Sequence, residues 1–180
     1  SLIKLNNDIS EKKLLDEIKK LNDNPKLDGY IVQLPLPKHI NEQTILLAID
    51  PKKDVDGFHP ENFGRMSLQL NSYIPATPFG IIQLLERYEV PTSGKHCVVV
   101  GRSHIVGKPI SILMSQKRSA GNSTVTLAHS RTKNLGAITR QADIIIMALG
   151  IPEYLKGDMV KNGVTVIDVG ITRVPDKNNS

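Results

Sequence analysis

Tryptophan is absent from this 180-residue chain, cysteine occurs once, and aromatic residues make up 4% of it. The lone Cys97 excludes an intrachain disulfide, so the fold must rest on packing. It lies in an apolar run, Cys97-Val-Val-Val100, where a buried reduced thiol is expected rather than a catalytic one. A reducing cytoplasm fits that reading. The shortage of aromatics matters because the formal net charge is +5. Binding of single-stranded nucleic acid wants rings beside the basic groups, for bases to stack on. Here Lys and Arg are dispersed, so solvated faces and a small polyanionic ligand are expected, and nucleic acid is not. No apolar run reaches the roughly 18 residues of a membrane-spanning helix, and Ser1 to Lys20 lack the apolar centre of a secretory signal. His59, His96, His104 and His129 have no metal-ligand spacing, and a calcium loop counted from Asp54 puts Arg65 where a bidentate Glu belongs, so no metal is expected.

What is present falls into two rhythms. Asp8-Ile-Ser-Glu11 reads as a capping box, with Leu14, Leu15, Ile18 and Leu21 following at helical spacing. Gly29-Tyr-Ile-Val-Gln-Leu34 reads as a short buried strand stopped by Pro35 and Pro37. Asn41 to Ile49 reads as a second helix, and Lys52 to Tyr73 as turn-rich and polar. A helix then opens at Thr77-Pro78 and runs to about Glu89, with proline in its first turn. Beyond Gly94, apolar runs at His96–Gly101, Thr124–Ala128, Asp143–Leu149 and Thr165–Gly170 alternate with helical stretches near Pro109–Lys117, Leu135–Gln141 and Lys156–Lys161. Strands alternating with helices predict a doubly wound, Rossmann-like parallel sheet, preceded by a smaller α/β domain. The expected boundaries are residues 1–76, a connecting helix over 77–92, and a nucleotide domain over 93–180. The end, Asp176-Lys-Asn-Asn-Ser180, reads as loop.

The sharpest motif is Val98-Val-Val-Gly-Arg-Ser-His-Ile-Val-Gly-Lys-Pro109. A β-branched strand enters Gly101 and a helix begins near Val106, so backbone N–H groups and the helix's positive end face one point, as a pyrophosphate requires. Ser103 stands where the usual Gly-x-Gly-x-x-Gly fingerprint has its second glycine. NAD enzymes place a carboxylate after the second strand to bind the ribose 2′-hydroxyl. Here Thr124–Ala128 is followed by His129-Ser-Arg-Thr132, which has none. Ser130 can hydrogen-bond a 2′-phosphate, and Arg102 or Arg131 can pair with it, so the expected cofactor is NADP. On the other half, Gln33 is an amide inside an apolar run and needs partners. Within Asp54-Val-Asp-Gly57, Asp56-Gly57 could be a plain turn.

Six segments occur in order: Asp28-Gly-Tyr-Ile-Val-Gln-Leu-Pro-Leu-Pro37, Lys53-Asp-Val-Asp-Gly-Phe-His-Pro60, Pro75-Ala-Thr-Pro-x-Gly80, Val100-Gly-Arg-Ser-x-Ile-Val-Gly-x-Pro109, His129-Ser-Arg-Thr132 and Ile167-Asp-Val-Gly-Ile171. Over essentially the whole chain they resemble the bifunctional methylenetetrahydrofolate dehydrogenase/cyclohydrolase family, whose cofactor loop carries the same serine. The resemblance implies hydride transfer from 5,10-methylenetetrahydrofolate to NADP+, and hydrolysis of the methenyl product to 10-formyltetrahydrofolate. It implies Val32, Gln33 and Leu34 along the pterin cleft, Gln33 as partner of a catalytic lysine, and Asp56 as the anchor of the pterin N–H groups. On the cofactor side it implies Gly101, Arg102 and Ser103 at the phosphates, Ser130 at the 2′-phosphate and Ile171 near the nicotinamide. It further implies a cytoplasmic homodimer acting on tetrahydrofolate one-carbon carriers, without membrane or nucleic-acid partners. The family's Tyr-x-x-x-Lys motif and Pro-Gly-Gly-Val-Gly loop do not occur here, so the sequence is expected to be an internal piece. Two other readings stay open: a non-catalytic NADP-binding fragment, and another two-domain NADP dehydrogenase of the shikimate type.

Overall fold

The computed structural model describes residues 1–172. The loop expected at the very end therefore lies outside the described residues. The chain divides into two compact units, Ser1–Ala76 and Thr77–Ser180.

The first unit is built on helices. α1 (Glu11–Asn22) is capped by Ser10, whose hydroxyl accepts the Lys13 amide at 3.3 Å. Asp8 is thus not the cap the sequence suggested. Glu11 is the first helical residue, and its carboxylate accepts the Asn41 amide at 2.7 Å, beside the start of the next helix. Asn41 in turn caps α2 (Glu42–Ala48). Leu14 and Ile18 of α1 meet Ile40, Ile45 and Ile49 in one apolar core, the i, i+4 stripe that the sequence pattern requires. α3 (Pro60–Ser67) occupies part of the stretch that reads as irregular. Proline at its first turn lacks an N–H that would be unpaired there anyway, and His59 Nδ1 accepts the Glu61 amide at 3.1 Å.

The expected buried strand at Gly29–Leu34 is a correction. Among the described residues it forms one parallel bridge, Tyr30 to Asp54, and Ile31 is 56% exposed. An apolar run becomes a strand only with a neighbour for its alternate N–H and C=O groups, and among the described residues the pairing is confined to that bridge, with the Tyr30 amide on the Lys53 carbonyl at 3.0 Å.

The second unit opens with α4 (Ala76–Arg87) and continues with β1 (His96–Val100), α5 (Gly107–Ser115), β2 (Thr124–Ala128), α6 (Leu135–Thr139), β3 (Ile144–Met147) and β4 (Thr165–Asp168). In place of the last expected helix there is a single 3-10 turn at Gly157–Met159. The strands form a parallel sheet in the order β2-β1-β3-β4. Position in the sheet explains the sequence pattern. The central strands are buried almost throughout, and read as continuous apolar runs, Cys-Val-Val-Val and Ile-Ile-Ile-Met. The two outer strands are only partly buried, and accommodate Thr124, Thr126 and Thr165. Val98, Val100, Ile145 and Met147 share one cluster with Ala128, Leu135 and Ala142. Truncating a fully buried isoleucine such as Ile145 to alanine costs about 2–5 kcal/mol, so these runs carry much of the unit's stability.

Candidate functional site

The strand order reverses around β1: β2 lies on one side, and β3 on the other. Ligands of open parallel sheets bind outside the carboxyl ends of the strands at such a reversal. The loops that flank it are Gly101–Val106 after β1 and Ala148–Gly150 after β3. Gly101 has φ +133°, and a Cβ there would stand 2.6 Å from the Ala148 carbonyl oxygen. A Cβ on Gly107 would stand 2.0 Å from the Gly101 carbonyl oxygen. Both glycines are therefore required by the close passage of strand, loop and helix. The Gly101 amide donates to the Ala128 carbonyl at 2.8 Å, tying this loop to the end of β2.

Ser103 does more than leave room. Its Oγ accepts the amides of Val106 at 3.1 Å and Gly107 at 3.3 Å, and its carbonyl accepts the Lys108 amide at 3.0 Å. The side chain thus pairs two amides at the start of α5 and keeps its own O–H as a donor. Arg102 is exposed beside it. After β2, His129 to Thr132 forms a tight turn closed by the Thr132 amide on the His129 carbonyl at 2.8 Å. Ser130 and Arg131 stand exposed at its tip. The segments 101–108 and 129–134 carry Arg102, Lys108, Arg131 and Lys133 and no carboxylate. An anion arriving there meets only positive charge.

Beyond β4, the Asp168 carboxylate accepts the Gly170 amide at 2.9 Å, and Ile171 is 92% exposed. A Cβ on Gly170 would meet the Leu149 carbonyl oxygen at 2.1 Å, and one on Gly150 the Ile171 carbonyl oxygen at 2.8 Å. The loops after β3 and β4 therefore press backbone to backbone. The sequence reading named Ile171 but passed over Ala148 to Gly150; the signal was a glycine three residues beyond a fully apolar strand.

In the first unit, the two carboxylates of Asp54-Val-Asp-Gly57 have opposite surroundings. Asp54 is 2% exposed and accepts the amides of His59 at 2.9 Å and Phe58 at 3.3 Å, and the Asn62 side chain at 2.9 Å. Asp56 is half-buried and has no hydrogen-bond partner among the described residues. Burial, and then the charge of Asp54, raise its carboxyl above the ordinary aspartate value. Gly57, at φ +68°, closes the turn where a Cβ would meet the Tyr73 carbonyl oxygen at 2.9 Å. Lys53 is structural: its Nζ donates to the carbonyls of Leu21, Asn22 and Asn24 at the end of α1.

Gln33 departs from the sequence expectation. It is exposed, and its amide donates to the adjacent Leu34 carbonyl at 2.8 Å. It is not a buried amide in search of partners. Val32 and Leu34 are half-buried. Val32 and Gln33 line a cavity of about 320 Å³ together with the apolar Ile31, Leu36 and Leu14 and the polar Asn6 and Glu17. The segments carrying Gln33 and Asp56 run side by side at Tyr30 and Asp54, but no hydrogen bond joins Gln33 to Asp56. Among the described residues no group of three or more His, Cys, Asp and Glu could hold a metal ion, and no helix is long and apolar enough to cross a membrane.

A parallel sheet with a glycine-opened loop at its reversal defines a dinucleotide-binding α/β protein. Two family models match: the NAD(P)-binding domain of tetrahydrofolate dehydrogenase/cyclohydrolase over residues 75–180, and the catalytic domain of the same family over residues 1–56. The chain belongs to the tetrahydrofolate dehydrogenase/cyclohydrolase family. It is 69% identical to the bifunctional protein FolD of Flavobacterium johnsoniae over its whole length, covering 61% of that relative. It is 58% identical to the FolD of Porphyromonas gingivalis over 98% of the chain and 60% of the relative. The chain thus spans about three fifths of the length of the curated relatives it matches. The bifunctional FolD dehydrogenase/cyclohydrolase of Campylobacter jejuni superposes with a TM-score of 0.90 at 46% identity, over 95% of this chain and 60% of that one. The Trypanosoma brucei enzyme, solved with NADP cofactor and an inhibitor, gives 0.91 at 34% identity, over 99% and 60%.

Proposed function

We propose that this chain supplies the folate-facing and cofactor-facing surfaces of a methylenetetrahydrofolate dehydrogenase/methenyltetrahydrofolate cyclohydrolase. In this reading 5,10-methylenetetrahydrofolate is oxidised to 5,10-methenyltetrahydrofolate, which water then opens to 10-formyltetrahydrofolate. One observation carries it. A single chain holds an unpaired, half-buried carboxylate at Asp56 within its first unit, and a glycine-opened, wholly cationic strand–helix junction within its second. Residues 1–76 then serve as the folate domain, 77–92 as the connecting helix, and 93–180 as the NADP domain.

The junction fits NADP because it carries Arg102, Lys108, Arg131 and Lys133 and no carboxylate, on a loop that Gly101 and Gly107 allow to pass close to the neighbouring backbone. Bound there, NADP+ supplies the hydride acceptor. Gly101 lets the strand turn sharply into the phosphate loop, the Ser103 hydroxyl donates to the pyrophosphate, and Arg102 and Ser130 hold the 2′-phosphate. Ile171, exposed on a loop fixed by Asp168, lies against the nicotinamide. On the folate side, Val32 and Leu34 offer apolar edges, and the two oxygens of Asp56 accept two pterin N–H groups at once. Gln33 does not titrate near neutrality, so it orients a protonable group and transfers no proton itself. The same reading makes the protein a cytoplasmic homodimer working on tetrahydrofolate one-carbon carriers.

Cofactor titration tests this. NADP should bind at least about tenfold tighter than NAD, a difference of about 1.4 kcal/mol, and Arg102→Ala should weaken NADP far more than NAD. Equal affinities, or a preference for NAD, would overturn the assignment.

A further inference from the structure

We infer that His129 is a specificity-positioning residue: it sets NADP over NAD by holding the Ser130–Arg131 tip in shape, without touching the cofactor. This rests on the reading of the second unit as an NADP site. Arg131's amide donates to His129 Nδ1 at 3.1 Å, and the His129 amide donates to Thr132 Oγ1 at 2.9 Å. With the Thr132 amide on the His129 carbonyl, three bonds close four residues. The imidazole does here what an Asn or Asp side chain does in an Asx turn, accepting the amide two residues on. It can do so only with Nδ1 bare and its hydrogen on Nε2.

The consequence falls on the tip. The amides of His129, Arg131 and Thr132 are spent inside the turn, whereas the N–H and O–H of Ser130 have no partner among the described residues. Two unpartnered donors and the exposed Arg131 cation therefore stand on a turn closed by three bonds, at the end of a strand whose last residue, Ala128, is buried and receives the Gly101 amide. Such an arrangement recognises a phosphate monoester dianion by converging N–H, O–H and guanidinium groups. NAD has only a hydroxyl at that position, so ordering of the tip matters to NADP alone.

The test titrates wild type, His129→Ala, His129→Asn and His129→Gln with NADP, NAD and adenosine 2′,5′-bisphosphate. Asparagine places an acceptor where Nδ1 stands; glutamine is one methylene too long to close the turn. The Ala and Gln variants should lose about fivefold or more in affinity for NADP and for the bisphosphate, with NAD held within about twofold. Asparagine should restore all three to within about twofold of wild type. Equal losses for NADP and NAD, an unchanged NADP-to-NAD ratio in the Ala and Gln variants, or an Asn variant no better than Gln would each overturn the inference. Should His129→Ala fail to fold, the Asn–Gln comparison decides. A wild type that shows no preference for NADP would instead sink the underlying cofactor assignment, so the two failures are distinguishable.

Discussion

Asp54 accepts the side-chain amide of Asn62 at 2.9 Å, with both residues almost wholly removed from solvent. The same Asn62 nitrogen donates to the Pro51 carbonyl at 2.8 Å. One amide therefore fastens α3 to the turn that begins at Pro51, and one carboxylate gathers the Phe58 and His59 amides that lead into that helix. Removing a partner leaves a buried polar group unsatisfied, which costs about 1–3 kcal/mol and more for a charged one. Asn62→Leu, which fills the space but donates nothing, should lower urea-unfolding stability by about 2 kcal/mol or more. A change below about 0.5 kcal/mol, the level of an ordinary surface substitution, would show that the clasp is incidental.

This clasp also explains what could be read from the sequence. The sheet was legible because its central strands, Val98–Val100 and Ile144–Met147, are continuous β-branched or apolar runs, a pattern that burial on both faces requires. α3 was not legible. Pro60-Glu-Asn-Phe-Gly-Arg-Met-Ser67 contains Gly64 and Asn62, poor helix formers, and its stability comes from contacts distant in sequence. Gly29–Leu34 failed in the opposite sense: its apolar run satisfies a strand pattern, but hydropathy says nothing about whether a neighbouring strand pairs with it. At the candidate site, the positions of Gly101 after β1 and of Ser130 after β2 were legible from the strand pattern. The division of labour between Asp54 and Asp56 could not, since both are acids in one four-residue turn and only the packing tells them apart.

Cys97 is fully buried in β1, and burial pushes its thiol up to about 12. The thiolate is the reactive species, so it is essentially absent at neutral pH in the folded protein. An aromatic disulfide reagent at pH 8 should modify Cys97 at the rate of unfolding, and at full thiol rate in denaturant. Rapid modification of the native protein would place Cys97 at an accessible surface, contrary to the packing of β1.

Glycines divide into two groups with opposite expected outcomes. Gly64 lies inside α3 with nothing within 4 Å of a built Cβ, so Gly64→Ala should raise stability by about 0.5–1 kcal/mol through loss of unfolded-state freedom. Gly101→Ala must place a methyl 2.6 Å from the Ala148 carbonyl oxygen at φ +133°. It should lower stability by more than about 1 kcal/mol, and cofactor binding should fall with it. Paired thermal melts of the two variants check the signs. A stabilised Gly101→Ala would mean that the loop relaxes freely and is not set by its neighbours.

Asp56 separates a ligand-binding acid from a turn residue. Burial first, and the Asp54 charge second, raise its carboxyl, so the folded chain holds this proton more tightly than the unfolded chain does. The stabilising contribution of that proton is fully present below the unfolded value, about 3.9, and is lost as pH rises through the higher folded value. Asp56→Asn has no such titration. Across that window the variant should therefore gain on wild type as pH rises, and at pH 7 it should be at least as stable. The gap should be small, because much of the side chain is in water and solvent screens the effect. Folate binding should behave in the opposite way, since in the proposed role an amide NH2, which donates, replaces one of the two carboxylate oxygens that would accept the pterin N–H groups. Folate titration should show binding by Asp56→Asn reduced at least about tenfold and by Asp56→Ala abolished, with NADP affinity of both within about threefold of wild type. Unfolding curves at pH 3.5 and pH 7 beside these titrations decide the case. A variant markedly less stable than wild type at pH 7, with folate and NADP binding lost together, would make Asp56 a structural turn residue and leave the folate anchor to another group.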